Sequence, residues 1–293
     1  MARRVRPLWT SVPRQVRARV RRWRARGKSV AFVPTMGALH AGHLALIARA
    51  RRAADRVVVS LFVNPLQFDN VNDLKAYPRD FTRDLGILSG AKVDLVFAPR
   101  ADVFYAKDHA TRVVVEGLDR VLEGAHRKGH FTGVATVVTK LLHVVEPDQL
   151  WLGQKDAQQV AVLKRMVRDL DLPVAVRVGA TVREKDGLAM SSRNARLSAD
   201  ERAQAPALYA ALRAGAQRLL HPGRAPAVHV AELAMHVVLA RAKLLRVDYA
   251  TLVDPRTFSA PGRDVRRGLL VVAARFPSAR LIDNLPVRLG GAR

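Results

Sequence analysis

The sequence predicts a Rossmann-like α/β protein: a doubly wound parallel sheet over residues 1–181, followed by a smaller α+β domain with an antiparallel sheet over 182–293. Three observations predict it. Apolar runs of strand length alternate with helical stretches from Ser29 to about Thr181, the rhythm of strand–helix–strand units that builds a parallel sheet. Two long helical segments then follow each other with no strand between them, and the tail closes with strand candidates spaced by Pro, Gly and Arg, as an antiparallel sheet requires.

The elements follow in chain order. Val12, Val16, Val20 and Trp23 recur at helical spacing, with Thr10 or Ser11 as N-cap, Pro13 in the first turn and Gly27 as the stop. That pattern makes the arginine-rich stretch 14–28 an amphipathic surface helix, the reading preferred over a nucleic-acid arm or a targeting peptide. "SVAFVPT" is a strand, His43 to Ala54 a helix and "RVVVSLFVN" the next strand. "DLKAYPRDFTRDLGILSGA" reads as a loop leading into a helix and "KVDLVFAP" as a strand; "FTGVATVVTKLLHVVEP" is a helix and "QLWLGQ" a short strand. "AQQVAVLKRMVRDLDL" and "PVAVRVGATV" supply a last helix and strand of the first domain. Beyond them, "SADERAQAPALYAALRAGAQRLL" and "PAVHVAELAMHVVLARAKLL" are two helices joined by "HPGRAP". "VDYATLVD", "RGLLVVAARF" and "ARLIDNLPVRL" are the tail strands.

A chain of 293 residues buries a sizeable core without crosslinks, and it has no cysteine, which excludes disulfides, thiolate nucleophiles and cysteine-ligated zinc. No run approaches the roughly 20 apolar residues of a membrane helix, and no secretory signal opens the chain, so a soluble cytoplasmic protein is expected. Lys and Arg number 50 against 25 Asp and Glu, a formal charge of +25. The excess favours polyanions by long-range attraction, but no nucleic-acid module accompanies it, and nucleic acid is not an expected partner.

In a parallel α/β sheet, ligands gather beyond the carboxyl ends of the strands. The stretch "PTMGALHAGH" lies at the end of the first strong strand and carries His40 and His43. Gly37 and Gly42 let the backbone approach a ligand, and the following helix N-terminus offers N–H groups to an anion. Two imidazoles at that spacing can add donors to phosphate oxygens. Spacing alone equally allows one histidine to cap the helix and the other to pack on the sheet. Metal binding is disfavoured, since no third ligand stands nearby.

"PTMGALHAGH" resembles the nucleotide-binding signature of the HIGH-type nucleotidylyltransferases and, in its longer form, that of the pantoate–β-alanine ligase family. "SLFVNPLQF" resembles that family's pantoate-binding strand end and "DLKAYPRD" its following loop. "LEGAHRKGHFTGVATVVTKLL" is similar to its central segment and "DGLAMSSRNARLS" to its second nucleotide-binding loop. The resemblance runs in order from about Val12 to Leu289.

It implies a two-step reaction: the carboxylate of pantoate attacks the α-phosphate of ATP, giving pantoyl adenylate and pyrophosphate, and the amine of β-alanine then displaces AMP. It implies that Pro34, Met36, Gly37, His40, Gly42, His43, Gly153, Lys155, Asp156, Val182, Met190, Ser191, Ser192 and Arg193 meet ATP. Of these, His40, His43, Lys155, Ser191, Ser192 and Arg193 would carry catalysis by offsetting charge on the phosphates. Asn64, Gln67, Gln159, Arg127 and His130 are the implied pantoate set, and Gln67 also meets β-alanine; amides suit a substrate with one carboxylate and two hydroxyls. Mg²⁺ is the implied cofactor, with no organic prosthetic group, and a homodimer through the N-terminal domain is the implied assembly.

Three departures stand out. Arg83 precedes Asp84 where the family usually has an acidic pair, leaving Asp84 alone to hold Mg²⁺ through water. Gln154 replaces a glutamate in "GQKD", and Ala157 replaces a common aromatic. The rival readings are another HIGH-type nucleotidylyltransferase, which the amide set argues against, and a polyanion binder, which explains none of the ordered motifs.

Overall fold

The computed structural model describes residues 7–220, 227–262 and 264–289. The chain divides into two compact units, Met1–Gly153 with Val162–Gly179, and Gln154–Ala161 with Ala180–Arg293.

The first unit is built on β1 (Leu8–Thr10), β2 (Val30–Thr35), β3 (Arg56–Leu61), β4 (Leu95–Phe97), β5 (Gln149–Gly153) and β6 (Ala175–Gly179). They form one sheet in the order β1-β4-β3-β2-β5-β6, parallel throughout. Its helices are α1 (Pro13–Arg24), α2 (Ala41–Ala53), α3 (Val71–Ala76), α4 (Phe81–Gly90), α5 (Ala101–Phe104), α6 (Glu123–His126) and α7 (His130–Val145), together with the part of α8 (Ala157–Asp169) from Val162 onward. Val30 to Val33 and Val57 to Val59 are fully buried, as expected of central strands covered on both faces. Ala31, Val33, Val57, Val59 and Val96 pack with Leu39, Ile47, Ala50 and Leu88 in one apolar cluster. Strand order reverses where β5 lies beside β2, so the crevice beyond their carboxyl ends is the switch point at which such sheets bind ligands.

The second unit contains α9 (Ala199–Gln204), α10 (Ala207–Leu220), α11 (Ala227–Leu239), and β7 (Arg246–Val253), β8 (Arg267–Arg275) and β9 (Arg280–Arg288). Its three strands form an antiparallel sheet in sequence order. Leu208, Leu212, Met235 and Leu239 pack on Leu252, Leu270 and Val272 to make its core.

The expected doubly wound parallel sheet and the expected antiparallel second sheet are both present, with four local differences. The stretch 198–220 breaks into α9 and α10 at Pro206, because proline has no N–H for the helical ladder and its ring crowds the preceding turn. The loop expected before α4 contains α3, capped by the Asn70 side chain on Asn72 N–H at 2.8 Å. The edge strand β1 is too short and too exposed to leave a period in the sequence. The N-cap of α1 is Val12 rather than Thr10 or Ser11, and Thr10 Oγ1, two residues before it, accepts its N–H at 3.1 Å. The "HPGRAP" connection lies outside the described residues.

The arginine-rich stretch is α1, with Val16 and Val20 fully buried and Gly27 in the left-handed region at φ 67°. Arg17 and Arg21 reach Glu146, and Arg24 pairs with Asp148 at 2.8 Å. Among the described residues no helix is long and apolar enough to cross a membrane.

Candidate active site

The turn from β2 into α2 is fixed from both sides. Thr35 Oγ1 donates to Ser60 O at 2.6 Å and accepts the Gly37 N–H at 3.3 Å, which ties the start of the turn to β3. Gly37 has φ 81° and Ala38 φ 50°, a left-handed pair of which only the glycine adopts that region without steric cost. Asp84, at the start of α4 and 3% exposed, accepts Ala38 N–H on Oδ2 at 2.8 Å and Leu39 N–H on Oδ1 at 2.9 Å.

The turn delivers His40 as the N-cap of α2. Its Nδ1 accepts the Gly42 N–H at 3.1 Å, and His43 Nδ1 in return accepts the His40 N–H at 3.3 Å, a reciprocal cap made by two imidazoles. Their ring centroids lie 4.1 Å apart. Because both Nδ1 atoms accept, the hydrogen of each neutral ring sits on Nε2, at the start of α2. Capping and ligand binding, open alternatives on spacing alone, are therefore compatible: one nitrogen of each ring caps and the other is a donor.

Beyond β3 stands a cluster of buried amides. Asn64, 1% exposed, donates through Nδ2 to Gln67 Oε1 at 3.1 Å and to Gly133 O at 3.0 Å. Its Oδ1 accepts from Leu66 N–H at 3.3 Å and from the Tyr105 hydroxyl at 2.8 Å. Every hydrogen-bonding position of the Asn64 amide thus meets a partner within the protein, and one of those bonds orients Gln67. Gln67 itself is 8% exposed, and its Nε2 faces Met36 Sδ at 3.0 Å, a weak acceptor that a substrate oxygen can replace.

His130, at the start of α7, is buried and holds the same turn. Its Nδ1 donates to Gln67 O at 2.7 Å, while Nε2 accepts from Arg127 Nη1 at 3.0 Å. A carbonyl can only accept and a guanidinium can only donate, so the ring is neutral in one tautomer. Burial, aided by the Arg127 charge, pushes its pKa down to about 4. Arg127 also reaches Asp69 at 3.4 Å. The "HRKGHF" segment is therefore a built support for Gln67.

The second unit carries the remaining expected residues. Lys155 lies in a short 3₁₀ turn, Gln154–Asp156, with Nζ 3.3 Å from Asp156 Oδ1. Asn284 on β9 holds that turn: Nδ2 donates to Gln154 O at 3.0 Å and to Lys155 O at 2.8 Å, while Oδ1 accepts from Gln154 Nε2 at 3.0 Å. Next to it, Asp283 makes a two-pronged bond to Arg183 at 2.5 and 3.0 Å. The Arg183 guanidinium stacks 3.7 Å from the Tyr209 ring centre. A backbone bond from Met190 N–H to Val182 O at 3.0 Å closes the loop that presents Ser191, Ser192 and Arg193. Ser191 Oγ accepts the Arg193 N–H at 3.2 Å and caps the 3₁₀ helix Ser192–Arg196.

The first unit thus brings Met36, Gly37, Gly42, His40 and His43 together, with Gln67, Asn64, Arg127 and His130 supporting one another. Pro34 is half-buried in β2. Gly153 ends β5 of the first unit, just before the lysine turn in sequence; in the second unit Gln159 lies half-buried in α8, and Val182 and Met190 pair in the loop. Sequence reasoning missed Tyr105, Asn284 and the Arg183–Asp283 pair. Only "LIDN" offered a signal, an Asp–Asn pair inside an apolar strand.

The expected Mg²⁺ seat at Asp84 does not fit. Both carboxylate oxygens serve backbone N–H groups, and Arg83 Nη1 stands 3.8 Å from Oδ1. Among the described residues no group of three or more His, Asp or Glu side chains is placed to hold a metal ion.

A family model described as pantoate-beta-alanine ligase matches residues 9–286. The pantothenate synthetase of Thioalkalivibrio sulfidiphilus is 52% identical over 270 residues, 91% of this chain and 93% of that protein. That of Cereibacter sphaeroides is 50% identical over 273 residues, 93% and 97% of the two chains. A crystal structure of pantothenate synthetase from Thermus thermophilus superposes with a TM-score of 0.89 at 47% identity, covering 95% of this chain and 98% of that one. The pantoate–β-alanine ligase of Francisella tularensis, solved with Beta-gamma ATP and β-alanine, gives 0.77 at 31% identity over 98% and 100% of the two chains. The chain belongs to the pantoate–β-alanine ligase family, and is a ligase of pantothenate formation.

Proposed function

We propose that the chain condenses pantoate with β-alanine in two steps driven by ATP. A carboxylate oxygen of pantoate attacks the α-phosphorus and pyrophosphate leaves, giving a pantoyl adenylate. The β-alanine nitrogen then attacks the acyl carbon, AMP leaves, and the amine loses a proton as the amide forms. The observation that carries this reading is the reciprocal cap of His40 and His43, which holds an Nε2–H donor on each ring where α2 begins. Donors fixed in advance stabilise charge on the phosphate oxygens without reorganising during reaction.

In the same reading Lys155, Ser191, Ser192 and Arg193 serve the phosphates as cation and hydroxyl donors. Pro34, Met36, Gly37, Gly42, Gly153, Asp156, Val182 and Met190 contribute to ATP binding. Gln67, held by Asn64 and His130, orients pantoate and then β-alanine, with Arg127 and Gln159 lining the pantoate site. Mg²⁺ travels with the triphosphate of ATP. A cytoplasmic homodimer paired through the N-terminal domain is the assembly that accompanies this function.

AMP release from ATP with each organic substrate omitted in turn tests the proposal. The expected result is AMP that requires pantoate and β-alanine together for turnover. AMP formed steadily with neither, or a nucleotide-activated product that accumulates in place of the amide, would sink it.

A further inference from the structure

Arg83 and Asp84 act on the turn that presents the histidines, from opposite chemical sides. Asp84 accepts the N–H groups of Ala38 and Leu39, and Arg83 Nη2 donates to Leu39 O at 3.4 Å. Ala38 stays at φ 50° although it is not a glycine, a conformation that persists only where the surroundings over-determine it. A Cβ at Gly37 would meet Asp84 Oδ2 at 2.8 Å, so the glycine is what lets the carboxylate close on the turn. Leu39 is buried beneath the turn at 1% exposure, and His40 follows it directly as the cap of α2.

We infer that Arg83 and Asp84 form a clamp that positions the His40–His43 pair, and that Asp84 is a positioning residue, not a seat for Mg²⁺. The arginine where an acid was expected then has a purpose: it adds a donor for the Leu39 carbonyl and sets a positive charge where a second metal-binding carboxylate would stand. The effect on turnover rests on the role proposed above for the two histidines.

Asp84→Asn keeps one acceptor oxygen and turns an NH₂ group against the other backbone N–H. The clamp predicts a fall in kcat of at least about tenfold, as for a small misplacement of catalytic groups, with the Mg²⁺ concentration for half-maximal rate unchanged within about twofold. The ring signals of His40 and His43 in ligand-free variant should shift in NMR spectra, while those of His229 and His236 stay in place. A Mg²⁺ requirement raised about tenfold, with kcat recovered at high Mg²⁺, would overturn the inference.

Arg83→Asp, at an exposed side chain, rebuilds the acidic pair and keeps the test open should the first variant not fold. The clamp predicts a loss of kcat with no gain in Mg²⁺ affinity; half-saturation at about fivefold lower Mg²⁺ contradicts it. A titration of the unmodified protein with MgCl₂ alone is independent of turnover. The Ala38 and Leu39 amide signals should not move, and displacement of both would mean that the metal takes Asp84. Should the protein prove not to make AMP, the titration still decides the clamp, so the two readings fail separately.

Discussion

Acidification should weaken the first unit through one buried ring. His130 ordinarily would titrate near 6.5, and its burial beside Arg127 holds it at about 4. The unfolded chain therefore binds a proton between those values that the native protein refuses. The stabilisation is complete above about pH 6.5 and is lost as pH falls toward 4, by about 3 kcal/mol in total and at most about 1.4 kcal/mol per pH unit. Asp55, lowered to about 2 by its bonds from Ser29, loses its contribution only below about 4, outside this window. Trp9, Trp23 and Trp151 are the three tryptophans of the chain and all belong to the first unit, so their fluorescence reports its unfolding. Urea unfolding followed at a series of pH values, for the unmodified protein and for His130→Gln, isolates the ring. The variant should start lower at pH 7, by about 1–3 kcal/mol for the orphaned Arg127 and Gln67 groups, and its stability should fall less steeply between pH 6.5 and 4. Parallel curves for the two proteins would refute the buried neutral histidine.

Gly133→Ala would drive a Cβ into the Leu66 carbonyl, pushing α7 off the turn that orients Gln67; the KM for pantoate should rise about tenfold or more with a smaller change in that for ATP. Lys155→Ala and His43→Ala should each slow single-turnover adenylate formation by at least about tenfold, and near-normal rates in both would remove their assigned roles. Gln154→Glu places a carboxylate oxygen against Asn284 Oδ1, and turning the Asn284 amide to meet it would aim its oxygen at the Gln154 and Lys155 carbonyls. The variant should lose about 1–2 kcal/mol in chemical unfolding followed by circular dichroism; equal or greater stability would contradict the network.

Features that rest on local spacing were legible before the fold was seen. Val16 and Val20 at helical spacing gave α1, unbroken apolar runs gave β2 and β3, and the two histidines at the end of β2 marked the switch point. What the sequence could not carry are partnerships between distant positions. Asp84 closes on Ala38, His130 on Gln67 and Asn284 on Lys155 only once the chain has folded. Each was visible in advance as a residue type without a geometry, so Asp84 read as a metal ligand and Asn64 as a substrate contact. For Asp84 the folded geometry argues against the metal: a carboxylate with two N–H partners has little left to offer an ion, while Asn64 meets a partner at each of its positions.

In the proposed reaction, activation of pantoate precedes the arrival of the amine. Pantoate-dependent exchange of labelled pyrophosphate into ATP, measured with β-alanine absent, tests it most directly. A reversible adenylation predicts label in ATP whenever pantoate, ATP and Mg²⁺ are present, and its loss in His43→Ala. Exchange that appears only after β-alanine is added would contradict that order.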